Sequence, residues 1–211
     1  FVGRRVARKV LHRALDRVRA GRGRIIMLEG PSGSGKTALV EAFAQEARLF
    51  GASAFTGTCV HRDHVAFRGL DTAVERIAEA YRKQSARILR KMPEAERASL
   101  LRGFTFLAEL LPVHLHGEPD PEISAGLGLQ SLLRSLSEKR LMILVVEQMH
   151  LADAATLDAI EIMQRGGGLP PVLFVFTHRP EAVNATGRHA AFFDLLKAHP
   201  GTERVELPPF G

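Results

Sequence analysis

Short, almost unbroken apolar runs alternate along this chain with longer stretches in which apolar residues return every three or four positions. The first pattern predicts strands at 24–29, 52–56, 141–146, 172–177 and 203–207. The second predicts helices at 38–47, at about 70–111 with a break near Pro93, and at 123–136, 152–164 and 190–198. Pro112, the 117–121 segment and Gly166-Gly167-Gly168 read as turns. Strands that lack a polar face must be covered on both sides, and each is separated from the next by helical sequence. The expected fold is therefore α/β, a mostly parallel sheet of four or five strands with helices on both faces.

At the N-terminus Ala7, Leu11, Ala14 and Val18 recur at helical spacing between arginines, which predicts a basic amphipathic helix over residues 1–23, ahead of a core spanning 24–211. The chain has 29 Lys/Arg, 23 Asp/Glu and a formal net charge of +6. Residues 1–24 hold nine of those basic residues and a single acid, Asp16, which leaves 20 basic and 22 acidic residues for the rest. The body is thus not basic on average, and with no tryptophan and one tyrosine it offers no stacking platform for single strands. Specific nucleic-acid binding is not expected, because a run of arginines on one helix face is ordinarily a solvated surface. Cys59 is the only cysteine, so neither a disulfide framework nor a cysteine zinc site is available, and a cytoplasmic location is expected. The longest apolar run, 141–146, is far too short to span a bilayer.

Between the first predicted strand and helix lies Gly30-Pro31-Ser32-Gly33-Ser34-Gly35-Lys36-Thr37, which fits G-x-x-x-x-G-K-[ST] in the strand–turn–helix setting that motif needs. Glycines without Cβ let successive backbone N–H groups of Gly30, Ser32, Gly33, Ser34 and Gly35 curl around phosphate, and the helix N-terminus adds partial positive charge. Lys36 is expected to reach the β- and γ-phosphates and Thr37 to offer a hydroxyl to Mg²⁺. These features predict a P-loop NTPase that binds ATP or ADP with Mg²⁺; no N/T-K-x-D segment follows the later strands, which favours adenine over guanine.

About 110 residues later the apolar run 141–146 ends in Glu147 and Gln148. An acid at a strand end downstream of a phosphate loop is placed to hold the Mg²⁺ shell, and Glu147 is assigned that role. The next position is where an acid that polarises attacking water is expected, and Gln148 cannot accept a proton at neutral pH. Arg179, after the 172–177 strand, is a candidate contact to the γ-phosphate. Other constellations fail on spacing. His61-Arg62-Asp63 lacks the asparagine five residues on that a kinase loop requires, where Arg68 stands; Cys59, His61 and His64 have no second ligand pair; and His114 and His116 have no acids at ligand spacing.

Phe1-Val2-Gly3-Arg4 followed by a helix and the phosphate loop resembles the start of AAA+-related ATPase modules of the STAND type, signal-transduction ATPases with numerous domains. Gly57-Thr58-Cys59 with Phe67 and Leu70-Asp71 resembles the segment after their second strand. Residues 147–153 resemble D-D-[LM]-[QH]-W-[AG]-D, and 176–181 resemble T-x-R-P-E after the sensor strand. The resemblance implies that Val2 and Gly3 lie against adenine, and that nucleotide state is passed to other domains of the same polypeptide, with nucleotide-dependent self-association. The pair Glu147-Gln148 and Leu151 in the tryptophan position depart from the pattern and point to slow or absent hydrolysis. Ending at Phe210-Gly211, the chain is expected to be a piece of a longer protein without the lid and winged-helix parts. The alternatives are an active ATPase with Asp153 or Glu147 as base, a small-molecule kinase, and a nucleic-acid-associated ATPase using the basic helix.

Overall fold

The computed structural model describes residues 2–60, 66–120, 122, 124–165, 168–183 and 186–209. Five strands form one parallel sheet: β1 (Arg24–Glu29), β2 (Ala52–Thr58), β3 (Leu141–Glu147), β4 (Val172–His178) and β5 (Thr202–Glu206), in the order β2-β3-β4-β1-β5. Strand β4 is inserted between β1 and β3, so the end of the acid-bearing strand lies two strands from the phosphate loop.

Alternation along each central strand divides the interior in two. Ile26 and Leu28 of β1, Ile143 and Val145 of β3 and Leu173 and Val175 of β4 face one layer, made by α1 (Val2–Arg19) and α2 (Lys36–Leu49). Ile25, Met27, Leu144, Val146, Phe174 and Phe176 face the other. That layer is built by α3 (Arg68–Ala80), α4 (Arg82–Lys91), α5 (Glu94–Gly103), α6 (Ala125–Ser137), α7 (Ala154–Arg165) and α8 (Arg188–Ala198). Because both faces are covered, β3 and β4 need no polar positions in their interiors.

Helix α1 is seated on the sheet, with Ala7, Leu11, Ala14 and Val18 all buried. Its arginines are not simply solvated: Arg8 and His12 pair with Glu46 of α2, while Arg13 and Arg17 converge on Glu203 of β5 at 2.8 and 3.0 Å.

The stretch expected as one helix over 70–111, broken only at Pro93, contains two further breaks. Tyr81 separates α3 from α4, its hydroxyl hydrogen-bonded to Ser53 of β2 and its ring under the Arg140 guanidinium at 4.5 Å. Pinning Tyr81 to the sheet turns the chain from β2 toward α6. Phe104 ends α5, and a 3-10 turn over Thr105–Leu110 follows. Helix α6 begins at Ala125, where Ser124 Oγ accepts the Gly126 N–H; Ile123, its expected first residue, is outside the described residues. No helix among the described residues is long and apolar enough to cross a membrane.

Candidate functional site

The phosphate loop links β1 to α2 at the carboxyl ends of the strands. Two of its glycines are irreplaceable for different reasons. A Cβ on Gly30 would stand 2.4 Å from the Leu207 carbonyl oxygen, since the chain leaving β5 hydrogen-bonds to Glu29 beside it. Gly35 caps α2 with φ 79°, a left-handed conformation that costs a residue with a side chain about 1–2 kcal/mol. Ser34 is buried beneath the loop, and Ser32 and Thr37 are exposed on its rim. Lys36 curls over the loop, its ammonium donating to the carbonyls of Gly30 (2.7 Å) and Pro31 (2.8 Å) and to Ser34 Oγ (3.3 Å). Partial burial first, then the neighbouring Arg179 cation, lower its pKa, partly offset by Glu181 and Glu147.

A cleft of about 420 Å³ opens beside this loop. Ser32, Gly33, Gly35, Lys36 and Thr37 form one wall. Gln148, His150, Thr177, His178 and Arg179 form the opposite one, brought in by the ends of β3 and β4. Of the residues predicted from sequence, Gly30, Ser34 and Glu147 flank the cleft without lining it. Val2 and Gly3 open α1, and the next residue, Arg4, donates to the Ser34 carbonyl at 3.4 Å, so the start of this helix lies against the phosphate loop.

Glu147 ends β3 with its backbone carbonyl taken by the Cys59 N–H, and its Oε1 is buried without a hydrogen-bond partner. A buried carboxylate oxygen left unpaired suits a cation or a cation-bound water, and a hard ion such as Mg²⁺ takes oxygen donors of this kind together with phosphates. Thr37 supplies a hydroxyl oxygen. No group of three or more His, Cys, Asp or Glu with ligand geometry occurs among the described residues, so a cage built wholly from protein is absent there.

Gln148 adopts φ 58°, ψ 43°, a left-handed conformation rare outside glycine, and its N–H donates to Thr177 Oγ1 at 3.1 Å. The strand-end turn is therefore held by β4. Among the described residues, the only carboxylate lining the cleft is Glu41, one turn beyond Thr37 in α2. Asp153, the alternative base, is committed elsewhere: Oδ1 accepts from the N–H groups of Phe67 (3.0 Å) and Thr156 (2.9 Å), and Oδ2 from the Thr156 hydroxyl (2.7 Å). It caps α7 and holds the left-handed Phe67 that starts α3.

Three cleft residues escaped the sequence reading. His150 Nδ1 accepts a long hydrogen bond from the Arg179 N–H at 3.4 Å, which leaves Nε2 as the protonated nitrogen of its neutral ring. Burial, then Arg179 and Lys36, lower its pKa, so it is uncharged at neutral pH and offers a donor. Thr177 and His178 end β4, and nothing in an apolar run announces which terminal residues will face a loop over 140 positions away. His178 is buried and stacked on Phe193 at 4.1 Å. Its Nε2 lies 3.7 Å from Glu29, yet burial outweighs that attraction and, with smaller contributions from His150, Lys197 and Arg204, pushes its pKa down to about 4. Cys59 is fully buried, its thiol pushed up to about 12 by burial and by Asp153, and is a core residue. His61, Asp63 and His64 lie outside the described residues.

Two solved structures align with this chain at low similarity. A Drosophila ORC structure, bound to poly(dA/dT) DNA and Cdc6, is 14% identical with TM-score 0.42, over 96% of this chain and 29% of that one. The bacterial conjugative coupling protein TrwBdeltaN70 is 13% identical with TM-score 0.32, over 80% and 66%. This chain thus spans under a third of the first and about two thirds of the second. No curated protein sequence matches it. The AAA ATPase domain profile matches residues 1–175. With that match, the phosphate loop and the five-stranded parallel sheet, the chain belongs to the AAA ATPase domain family.

Proposed function

We propose that this AAA-type nucleotide-binding domain is a regulatory module that holds ATP or ADP with Mg²⁺ and turns it over slowly or not at all, in the manner of STAND signalling ATPases. The observation that carries the reading is Gln148, which lines the cleft where an acid would activate water. Phosphate would be bound by the loop amides, Lys36 and Arg179. Lys36 has only to exchange its intraloop carbonyls for phosphate oxygens. Thr37 and Glu147 are the residues that would hold Mg²⁺, which when bound neutralises phosphate charge. Val2 and Gly3 at the start of α1 would meet the base.

Hydrolysis further requires that a water be oriented and its proton accepted. The Gln148 amide orients without accepting, His150 presents N–H rather than a lone pair, and Asp153 is occupied as a cap. Other domains of the same polypeptide are the proposed recipients of the nucleotide state, with nucleotide-dependent self-association. Pairing of the α1 arginines with Glu46 and Glu203 argues against that helix as a nucleic-acid probe.

Single-turnover ATP cleavage tests the reading. Wild type is expected to cleave slowly, and Gln148→Glu or Gln148→Asp to accelerate cleavage by about 10²–10⁴-fold, the usual worth of general-base help. Rapid wild-type cleavage unaffected by either substitution would refute it.

A further inference from the structure

Averaged over sequence, the body of this chain is slightly acidic, but the fold gathers its cations unevenly. Helix α4 carries Arg82, Lys83, Arg87, Arg90 and Lys91 in ten residues and no acid. Ser85 and Leu89 face the core, which leaves Lys83, Arg87, Arg90 and Lys91 on one exposed stripe. Across a groove of about 300 Å³, the turn from α6 into β3 adds Lys139 and Arg140, with Glu138 the only acid lining it among the described residues. Among the described residues no carboxylate is within ion-pair distance of Arg82, Lys83, Arg87, Arg90, Lys91 or Lys139. The contrast with α1 is direct, since four of its arginines are matched to acids.

We infer that this surface binds the phosphate backbone of duplex nucleic acid without reading its sequence. An acidic protein partner fits less well: protein interfaces rely on aromatic and aliphatic anchors and are poor in lysine, whereas the described residues of this groove include two lysines and, as apolar side chains, only the half-buried Ile88 and the buried Leu136. Single strands fit less well too, because no ring is among the described residues lining the groove and Tyr81, beside Arg140, is covered by its guanidinium. Phosphate contacts need only cations and neutral polar groups, and Gln84 and Ser135 stand among the cations. The exposed pair Leu49–Phe50, which could anchor a membrane, ends α2 on the other face of the sheet. The ten residues of α4 are about 15 Å long and would run beside about nine phosphate charges of a duplex.

The groove lies where β3 begins, at Leu141, whereas the nucleotide cleft lies where β3 ends, at Glu147. Seven strand residues put about 20 Å between them. Duplex binding is therefore separate from the phosphate loop, and Lys36→Ala is expected to leave it intact, so its failure would say nothing against nucleotide binding.

Fluorescence anisotropy with a labelled random-sequence DNA duplex, and an RNA duplex of the same sequence, tests the inference on the whole chain. Binding to either duplex at about 50 mM salt should weaken steeply toward about 200 mM, and Arg87→Ala/Lys91→Ala/Lys139→Ala should flatten the log–log salt slope by about 2.7, at about 0.9 per lost phosphate contact. Arg5→Ala/Lys9→Ala/Arg22→Ala removes the same charge elsewhere and should leave the slope unchanged. Glu138→Gln should tighten binding, a gain that misfolding cannot mimic. Equal effects of the two triple variants would overturn the proposal by reducing it to net charge. So would strong preference for one sequence, or capture by phosphatidylserine vesicles under conditions where neither duplex binds.

Discussion

Arg204 grips the buried carboxylate of Glu29 with two nitrogens, Nε to Oε1 at 3.0 Å and Nη2 to Oε2 at 2.7 Å. Glu29 is the last residue of β1 and directly precedes the phosphate loop, so a β5 side chain fixes the point from which the loop springs. Removing Arg204 would leave a buried acid without its cation. Because the Arg204 side chain is itself 56% exposed, water would replace part of the loss. Arg204→Ala is expected to destabilise by about 1–3 kcal/mol, below the range for a fully buried pair, with Glu29→Gln in the same chain recovering part of it. Urea denaturation of the single and double variants measures this.

His178 makes stability depend on pH. Its folded pKa of about 4 lies below its unfolded value of 6.5, so between those limits the unfolded chain binds one more proton than the native one. Stability is fully present above about pH 6.5 and is lost as pH falls toward 4, by about 3 kcal/mol in all. Thermal melts at stepped pH should show this slope, and His178→Phe should remove most of it.

Gln148 is strained as well as neutral. At φ 58° a glycine is relieved of the side-chain clash, so Gln148→Gly should be stable to within about 1 kcal/mol of wild type or slightly better, whereas Gln148→Val should lose about 1–2 kcal/mol or more. Chemical melts of these two variants separate backbone strain from catalysis. Gln148→Asp, which restores an acid, also suits this conformation better than Gln148→Glu.

Lys36→Ala should weaken ATP and ADP binding by about 1.5–3 kcal/mol, roughly 10- to 150-fold, the worth of a charge-assisted hydrogen bond to phosphate. Calorimetry with and without Mg²⁺ is the measurement. Equal affinity in both proteins would mean that the loop does not hold the nucleotide.

What the sequence determined is what depends on near neighbours. The apolar runs of β1, β3 and β4 have to be buried on both faces whatever surrounds them, which is why four or five strands and a mostly parallel sheet were legible. The phosphate loop was legible as a local motif, in which Gly35 answers to its own left-handed φ, whereas the need for glycine at Gly30 comes from the Leu207 carbonyl far along the chain. Other features needed partners far along the chain. The break at Tyr81 depends on Ser53 and Arg140, and the start of α3 depends on Asp153, 86 residues from Phe67. Only the insertion of β4 between β1 and β3 carries Thr177, His178 and Arg179 to the cleft. Charge behaved likewise: counted along the chain, α1 was the basic element, yet folding brought Glu46 and Glu203 to its arginines and left α4 uncompensated. Electrostatic interaction depends on distance in space, and chain order does not set that distance beyond a few residues.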